Sequence, residues 1–205
     1  MAHRPDVGPE LELVEDQGIA RCITRRRFRR ALELITRAYG ARIGRLCLAM
    51  LGDRGEAEEL TQEILLAAYR AMPSFEGRSQ VKTWLYTIAR RACSAELKRQ
   101  RRRDQLLAVV EHLPQPRPRD PQLQLDQRRQ LQLALAKLPD GQCEVLLLRH
   151  VGGLSYREIA GVCEISEEAA RQRASGGLRR LRDVLEEARE QRRPRPVVVA
   201  CQELS

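Results

Sequence analysis

The sequence predicts an all-α protein built from two small helical domains that a flexible linker joins. Leu, Ala, Arg, Glu and Gln dominate the composition and only 3% of residues are aromatic, which favours helix over strand. Apolar residues recur every three or four positions in two separate blocks, the spacing of amphipathic helices. Between the blocks, four prolines stand within eight positions, at 114, 116, 118 and 121, which a packed helix would not tolerate.

These observations divide the chain into five segments. We expect a flexible N-terminal extension, a first helical domain, a Pro-rich linker, a second helical domain and a flexible C-terminal tail. They span residues 1–20, 21–103, 104–127, 128–187 and 188–205, respectively.

Three helices are predicted for the first domain. The apolar stripe over residues 28–51 predicts one helix, which a Leu-Gly-Asp sequence ends. Asp53 caps a second helix that runs to Pro73, because an acid follows three residues later at the spacing of a capping box. Ser79 is the predicted N-cap of a third helix. We expect the three helices to share one core built around Trp84.

The second domain carries the pattern of a helix-turn-helix. A helix ends at Pro139, and Asp140 is the predicted cap of the next helix, which two glycines end. Ser155 and Glu158 then form a capping box, flanked by apolar residues placed as a hydrophobic staple. Ser166 caps the last helix, whose acidic first turn favours its positive N-terminal end.

The charge pattern suits an anionic partner. The formal net charge is +9, a balance typical of nucleic-acid binding. Residues 78–103 hold nine Lys or Arg and one acid, and these cations surround Trp84 and Tyr86, rings of the kind on which single-stranded bases stack. A solvated basic face with a core tryptophan is the alternative. Residues 53–63 hold five acids and one arginine, which favours a protein partner or an ordinary acidic helix start.

Nothing in the sequence indicates an enzyme, a metal site or a cofactor. The three histidines lack paired carboxylates or a nearby nucleophile, and no glycine-rich phosphate loop occurs. No stretch approaches the ~20 apolar residues of a membrane span, and the N-terminus lacks a signal-peptide core, so we expect a cytoplasmic protein without membrane insertion.

The cysteines lack zinc-site spacing and are expected to be apolar fillers, with Cys201 a candidate exposed thiol. They are Cys22, Cys47, Cys93, Cys143, Cys163 and Cys201.

Two blocks of the chain resemble one family. Residues 53–103, DRGEAEELTQEILLAAYRAMPSFEGRSQVKTWLYTIARRACSAELKRQRRR, and residues 138–185, LPDGQCEVLLLRHVGGLSYREIAGVCEISEEAARQRASGGLRRLRDVL, resemble regions two and four of the extracytoplasmic-function sigma factors. These are the smallest, two-domain members of the bacterial sigma-70 superfamily. The resemblance implies a subunit that binds core RNA polymerase, recognises the −35 and −10 promoter elements and initiates transcription of a stress- or signal-responsive regulon. It also implies an anti-sigma factor that holds the protein inactive.

The resemblance assigns three sets of residues. The acidic AEELTQE helix implies docking on core polymerase through Glu59, Gln62 and Glu63. The segment FEGRSQVKTWL and the helix after it imply capture of the displaced −10 strand and its phosphates by Arg78, Ser79, Lys82, Thr83, Trp84, Arg90 and Arg91. The second helix of the helix-turn-helix implies −35 contacts in the major groove by Glu167, Glu168, Arg171, Gln172 and Ser175, with Arg173 and Arg179 as phosphate partners.

The helix-turn-helix departs from the family pattern at its turn and in its last helix. Glu164 stands in the turn where family members commonly have Gly, and Ser175, Gly176 and Gly177 replace a basic or aromatic continuation. Each interior glycine costs roughly 0.5 to 1 kcal/mol relative to alanine. The glycine pair therefore weakens the helix, and we expect base reading to rest on residues 167–175.

A second hypothesis is a helix-turn-helix transcription regulator in which residues 28–103 form a sensor or dimerisation domain. The order of the acidic AEELTQE helix and the basic QVKTWLYTIARR helix discriminates, because a plain regulator needs neither. A third hypothesis, a thiol-based enzyme or metal sensor, needs clustered cysteines, which the sequence lacks.

Overall fold

The computed structural model describes the backbone of residues 9–110 and 123–191 and, within them, the side chains of 14–103, 130–188 and 190. These residues form α-helices and one 3-10 turn at Met72–Ser74, and the described chain contains no strand, which confirms the all-α prediction. The helices are α1 Pro9–Thr24, α2 Phe28–Leu51, α3 Arg54–Ala71, α4 Val81–Val110, α5 Leu123–Ala136, α6 Asp140–His150, α7 Tyr156–Cys163 and α8 Glu167–Gln191.

Helix α2 is the centre of the first domain, and its bounds match the predicted 28–51. It ends where Gly52 takes a left-handed conformation, φ 81°, and donates its N–H to Leu48, a geometry that glycine adopts without strain. Asp53 then accepts the backbone N–H of Glu56 at 2.9 Å, so the predicted cap of α3 is confirmed. Helix α3 packs along α2 and meets α4.

Helix α1 differs from expectation, because residues 9–20 are helical although a flexible extension was predicted over 1–20. Ile19 and Ile23 are buried against the rest of the domain. The Asp16 carboxylate is buried and accepts the Tyr39 hydroxyl and the backbone N–H of Lys82 at 3.1 Å. Asp16 therefore satisfies an N-terminal amide of α4, which begins at Val81, in place of the predicted Ser79 cap.

The prediction of a core built around Trp84 is wrong. Trp84 is only partly buried and packs its ring 5.0 Å, centroid to centroid, from Phe75. The fully buried residues of α4 are instead Leu85, Tyr86, Ala89 and Cys93. Two apolar stripes run along α4. The predicted stripe contains Trp84, Ile88 and Ala92, whereas the helix presents the stripe of Leu85, Ala89 and Cys93 to α2 and α3. The predicted stripe was therefore one position off.

The boundaries of the linker and of the tail also differ from the predicted ones. Helix α4 continues to Val110 and α5 begins at Leu123, so both ends of the predicted linker, 104–127, are helical. The four prolines lie outside the described residues. Helix α8 likewise extends beyond 187 to Gln191, and Cys201 lies outside the described residues.

The helix-turn-helix forms as the capping pattern predicts, whereas the predicted Asp140 cap does not. Ser155 Oγ accepts the N–H of Glu158 at 3.2 Å, and the Glu158 carboxylate accepts the N–H of Ser155 at 2.6 Å. Ser166 accepts the N–H of Ala169 at 3.0 Å at the start of α8. Pro139 takes the N-cap position of α6, so Asp140 is the first helical residue and makes no cap hydrogen bond.

Helix α8 runs without a break through Gly176 and Gly177, and the structure explains the second glycine. A Cβ at position 177 would lie 2.9 Å from Leu146 Cδ1 and 3.3 Å from Gln142 Cβ, both on α6. Real Cβ atoms do not approach so closely in a packed interior. The missing side chain therefore lets α8 lie against α6.

The two domains share one continuous apolar core. Helix α4 packs on α7 and α2 contacts α6. The Tyr86 hydroxyl donates to the Gly152 carbonyl at 3.0 Å. A Cβ at Gly152 would lie 2.9 Å from the Tyr86 ring and 2.7 Å from the Leu148 carbonyl oxygen, so only glycine permits this approach.

Candidate nucleic-acid interface

One face of α3 carries the predicted polymerase-docking residues. Glu59, Gln62 and Glu63 are all exposed and fall on one side of the helix, because residues three and four apart share a face. The opposite side buries Leu60 and Ile64 in the core. The predicted set is thus brought together on a continuous acidic surface.

Two apolar residues on the outside of α3 were missed by the sequence analysis. Leu66 and Tyr69 are 51% and 36% exposed, and they continue the face of Gln62 and Glu63 by one more turn. A sequence signal existed, since neither residue belongs to the buried apolar stripe of this helix. An acidic surface that also exposes large apolar side chains suits a protein partner better than solvent alone.

The loop before α4 holds the first residues of the predicted −10 set. Arg78 and Ser79 are exposed, and Arg78 makes an exposed ion pair with Glu76 at 2.6 Å. Trp84 lies one turn into the helix with its ring tilted by 55° against Phe75. The loop and the first turn of α4 therefore hold two aromatic rings in contact with each other and, between them in sequence, an exposed arginine.

Lys82 and Thr83 point toward the second domain. Lys82 Nζ lies 3.3 Å from Glu158 Oε1 and donates to the Gly153 carbonyl at 3.1 Å, and its side chain is only 7% exposed. Thr83 Cγ2 lies 3.4 Å from the position of a Cβ at Gly161. In this arrangement neither side chain is open to solvent as the exposed Ser79 is.

Arginines farther along α4 pair with acids of the second domain. Arg90 donates to Glu144 at 2.8 Å and Arg91 to Glu164 at 3.0 Å. Partial burial works against the charge of Arg90, yet the Glu144 carboxylate raises the pKa of that guanidinium above its ordinary value. The predicted phosphate partners are thus neutralised by carboxylates within the chain.

Five of the seven residues predicted for the −35 element share one face of α8. All five are exposed, because α6 and α7 cover the other side of α8. They are Glu168, Arg171, Gln172, Ser175 and Arg179. Arg171 pairs with Glu167 and lies 5.1 Å from the centroid of the Tyr156 ring. Arg173 lies apart from this face, since its Nη1 is 3.3 Å from the position of a Cβ at Gly141.

The described residues offer no metal centre and no membrane span. No group of His, Cys, Asp or Glu among them could hold a metal ion, and none of the helices in 9–110 and 123–191 is long and apolar enough to cross a membrane.

Cys47 and Cys93 are fully buried with their Sγ atoms 3.8 Å apart, as apolar fillers should be. Desolvation raises the pKa of Cys143 and Cys163 to about 11.

Together these surfaces define a class of protein. The chain combines a helix-turn-helix whose last helix exposes a polar face, a basic helix with aromatic rings at its start and an acidic helix. This combination is typical of a DNA-binding protein that also has a protein partner. Residues 35–103 match the family model described as Sigma-70 region 2, and residues 128–181 match that of Sigma-70, region 4.

Curated relatives align with most of this chain. The ECF RNA polymerase sigma factor SigC of Mycobacterium tuberculosis is 34% identical over 167 residues, which cover 76% of this chain and 82% of the relative. The ECF RNA polymerase sigma factor SigX of Bacillus subtilis is 29% identical over 78% of this chain and 86% of its own. The chain belongs to the extracytoplasmic-function family of RNA polymerase sigma factors.

Solved structures share the fold. CnrH, solved in complex with the cytosolic domain of CnrY, superimposes with a TM-score of 0.67 at 18% identity, over 84% of this chain and 98% of that chain. The sigma factor RpoE of Bartonella quintana, solved with the anti-sigma factor NepR, gives a TM-score of 0.58 at 26% identity, over 78% and 96% of the two chains. The chain is therefore an RNA polymerase sigma factor, with core RNA polymerase and promoter DNA as its partners, and the hypothesis of a plain helix-turn-helix regulator is set aside.

Proposed function

We propose that this sigma factor divides its work among three helices. Helix α3 docks on core polymerase, α4 with the loop before it captures the −10 strand, and α8 reads the −35 element. The observation that carries the proposal is the segregation of charge. The α3 surface is acidic, whereas residues 78–103, on α4 and the loop before it, hold nine Lys or Arg and one acid, so that polymerase and DNA are attracted to different helices.

The polymerase surface is assigned to Glu59, Gln62 and Glu63, with Leu66 and Tyr69 as an apolar supplement. All five are exposed on α3. Carboxylates at the rim steer association, while exposed apolar groups supply the area that a stable contact must bury. This surface therefore suits a basic partner that offers an apolar groove.

The −10 surface is assigned to Arg78, Ser79, Lys82, Thr83 and Trp84, with Arg90 and Arg91 behind them for phosphates. Stacking of a base on an aromatic ring contributes roughly 1 to 3 kcal/mol per base. The partly buried Trp84 ring, fixed against Phe75, is a rigid platform of this kind. Phosphate contacts position the strand without reading its sequence.

The −35 surface is assigned to Glu168, Arg171, Gln172, Ser175 and Arg179, with Glu167 as the partner that orients Arg171. Arg reads guanine and Gln reads adenine through paired hydrogen bonds, and an acid accepts a hydrogen bond from cytosine. Arg173 faces α6, so it is the weakest member of the predicted set.

An anti-sigma factor completes the proposal. A groove of about 1040 Å³ lies between the domains, and both of them line it, with Met50 and Leu133 as apolar and Arg101 and Arg173 as basic contributions. A polypeptide seated there would contact both DNA-binding domains at once. A pull-down with this chain as the bait that retains no protein under resting conditions would contradict the anti-sigma assignment.

We further infer that the protein works in the cytoplasm without catalysis of its own.

Reconstitution tests the central proposal. Bacterial core RNA polymerase is combined with the purified chain and a promoter library, and transcripts are sequenced. We expect initiation at a set of promoters that core polymerase alone ignores. If no such promoter is found, the proposed function is wrong.

Crossed variants separate the surfaces. Trp84→Ala should lower promoter opening more than affinity for polymerase, whereas the double variant Glu59→Ala with Glu63→Ala should do the reverse. Glu186→Ala with Glu187→Ala, two exposed acids near the end of α8, is the charge-matched control and should change neither. Equal losses in both assays would show that the tested positions only maintain the fold.

A further inference from the structure

The turn between α1 and α2, with the helix ends that flank it, carries a dense cluster of positive charge. Residues 21–30 hold six arginines and no acid. Arg30 pairs with Glu33 at 2.8 Å, whereas the other five make no ion pair with a described residue. None of the six belongs to the three surfaces proposed above. All six are exposed and together form the arginine corner, which comprises Arg21, Arg25, Arg26, Arg27, Arg29 and Arg30.

The arginine corner lowers the local stability of the chain. Arg29 and Arg30 lie in the first turn of α2, which contains no acid, although the positive N-terminal end of a helix favours anions. Arg27 holds the N-cap position without a side-chain hydrogen bond, where Ser, Thr, Asp or Asn would stabilise the helix. Arg26 has a φ of 53°, a left-handed conformation that is costly for a side chain. Such local conflicts are expected where residues serve a function other than stability.

The fold places the arginine corner beyond the start of α4. Asp16 accepts hydrogen bonds both from Tyr39, in the middle of α2, and from the backbone of Lys82, at the start of α4. Farther along both helices, Cys47 Sγ lies 3.8 Å from Cys93 Sγ, so α2 and α4 run in the same direction. The part of α2 that precedes Tyr39 therefore projects roughly 15 Å past the start of α4, at 1.5 Å per residue, and begins at the arginine corner.

The loop before α4 lies at this end of the domain as well. A short connection joins α2 to α3, and a Cβ at Gly44 would lie 3.6 Å from Thr61 Oγ1, so α3 runs antiparallel to α2. Helix α3 thus ends toward the start of α2 and leads into the loop that holds Arg78. Phosphates follow one another every 3.4 Å along each strand of a duplex, so roughly 15 Å corresponds to about five nucleotides from the −10 surface.

We propose that the arginine corner is a second phosphate-binding site of the first domain, which holds the promoter strand next to the segment captured by the −10 surface. Its position along the strand rests on the −10 role assigned to α4 above, whereas its affinity for DNA does not. The guanidinium group binds phosphate through paired hydrogen bonds. Contacts to phosphate carry no sequence information, so the site strengthens binding to promoters of any sequence.

The surface of the arginine corner favours phosphate over the other ligands of a basic patch. Ile23 is buried and Phe28 packs against the core, so the arginine corner exposes no large apolar side chain. Bases would need an aromatic ring on which to stack. A protein partner would need apolar area for the centre of its interface. The DNA backbone needs only the exposed cations that the arginine corner offers.

Salt-dependent DNA binding by the full-length chain tests this site. The triple variant Arg25→Gln, Arg26→Gln, Arg29→Gln is titrated with a labelled random-sequence single-stranded DNA, and anisotropy gives the Kd over a series of KCl concentrations. Each phosphate contact contributes about 0.7 to the slope of log K against log salt concentration. For three lost contacts we expect the slope to fall by about 2, and the Kd at about 0.1 M salt to rise by at least about tenfold.

The matched control removes the same charge from exposed arginines elsewhere, in the variant Arg45→Gln, Arg54→Gln, Arg182→Gln. Its slope should change by less than about 0.7, the value of one contact. Equal losses in the two variants would show that the arginine corner only adds to the general positive charge, and would overturn the proposal. A loss in neither variant, or a wild-type chain that binds no DNA, also overturns it.

Urea unfolding separates a binding role from a structural one. Because the arginines at the start of α2 oppose the helix dipole, their replacement should leave the urea midpoint unchanged or raise it. Affinity and stability should therefore respond differently to the same triple variant. A variant that loses affinity and stability together would show that the arginine corner only maintains the fold, which contradicts the proposal.

Photo-cross-linking in the holoenzyme tests the position of the site. p-Benzoylphenylalanine is placed at position 26, and the complex with core polymerase is irradiated on a promoter found by reconstitution. We expect a cross-link to DNA within about five nucleotides of the −10 segment. A cross-link to a polymerase subunit alone would overturn the proposal in favour of an acidic protein surface. If reconstitution finds no promoter but the triple variant still loses affinity selectively, the proposed function fails and the phosphate site stands.

Discussion

Adjacent glycines in α8 should respond in opposite directions to the same substitution. Alanine is favoured over glycine inside a helix by about 1 kcal/mol. At Gly176 the added Cβ meets only the end of the Gln142 side chain, at 3.2 Å, which can move aside. We therefore expect Gly176→Ala to raise the free energy of unfolding by about 0.5 to 1 kcal/mol.

At Gly177 the steric cost outweighs the helix propensity. The added Cβ would lie 2.9 Å from Cδ1 and 3.2 Å from Cγ of Leu146, a buried residue of α6, and 3.3 Å from Gln142 Cβ. Overpacking of this kind costs about 1 to 3 kcal/mol. After the helix gain is subtracted, Gly177→Ala should lower the free energy of unfolding by about 1 kcal/mol.

Urea unfolding followed by circular dichroism measures both effects. Gly18→Ala is the control for propensity alone, because no described atom lies within 4 Å of its added Cβ. It should stabilise the chain as Gly176→Ala does. Promoter use should fall for Gly177→Ala, since α8 is displaced from α6, and should persist for Gly176→Ala. Equal or greater stability of Gly177→Ala relative to Gly176→Ala would refute the packing argument.

Further predictions concern single side chains. Asp16→Ala should lower the free energy of unfolding by about 2 to 3 kcal/mol in urea titrations, because a buried hydroxyl and an amide at the start of α4 lose their shared acceptor. Glu164→Gly should leave stability unchanged or raise it by up to about 1 kcal/mol, since relief of the left-handed backbone offsets the exposed pair with Arg91. Cys143 and Cys163, whose pKa values are raised to about 11, should resist iodoacetamide at pH 8, because roughly one thiol in a thousand is ionised there. Their alkylation rate should rise about tenfold per pH unit up to that pKa. Rapid labelling of both cysteines at pH 8 would contradict this prediction.

Local features of the chain were predictable from the sequence. The bounds of α2, the Asp53 and Ser166 caps and the capping box at Ser155 are all confirmed. Each depends on residues no more than four positions apart, and the hydrogen bonds of a cap or a helical turn act over that range. The acidic face of α3 was predictable for the same reason, because helical periodicity alone places Glu59 beside Glu63.

The register of α4 was not predictable in this way. Trp84, Ile88 and Ala92 form as regular a stripe as the buried Leu85, Ala89 and Cys93 do, and both stripes satisfy the helical period. The choice between them depends on which side of the helix α2 and α3 approach. Likewise, the cap of α4 comes from Asp16, 66 residues before Lys82 in the chain.

Tertiary structure alone decided how the two DNA-binding domains meet. The pairs that join Arg90, Arg91 and Arg101 to the second domain span 54, 73 and 39 positions in sequence. No local pattern encodes them, because each carboxylate is equally compatible with solvent until the helices are brought together. The sequence by itself therefore determined the bounds of α2, the caps of α3, α7 and α8 and the family to which the chain belongs. The packing of α4 on α6 and α7 determined which of its cations pair with carboxylates of the second domain, since charge is neutralised only where two surfaces come within hydrogen-bond distance.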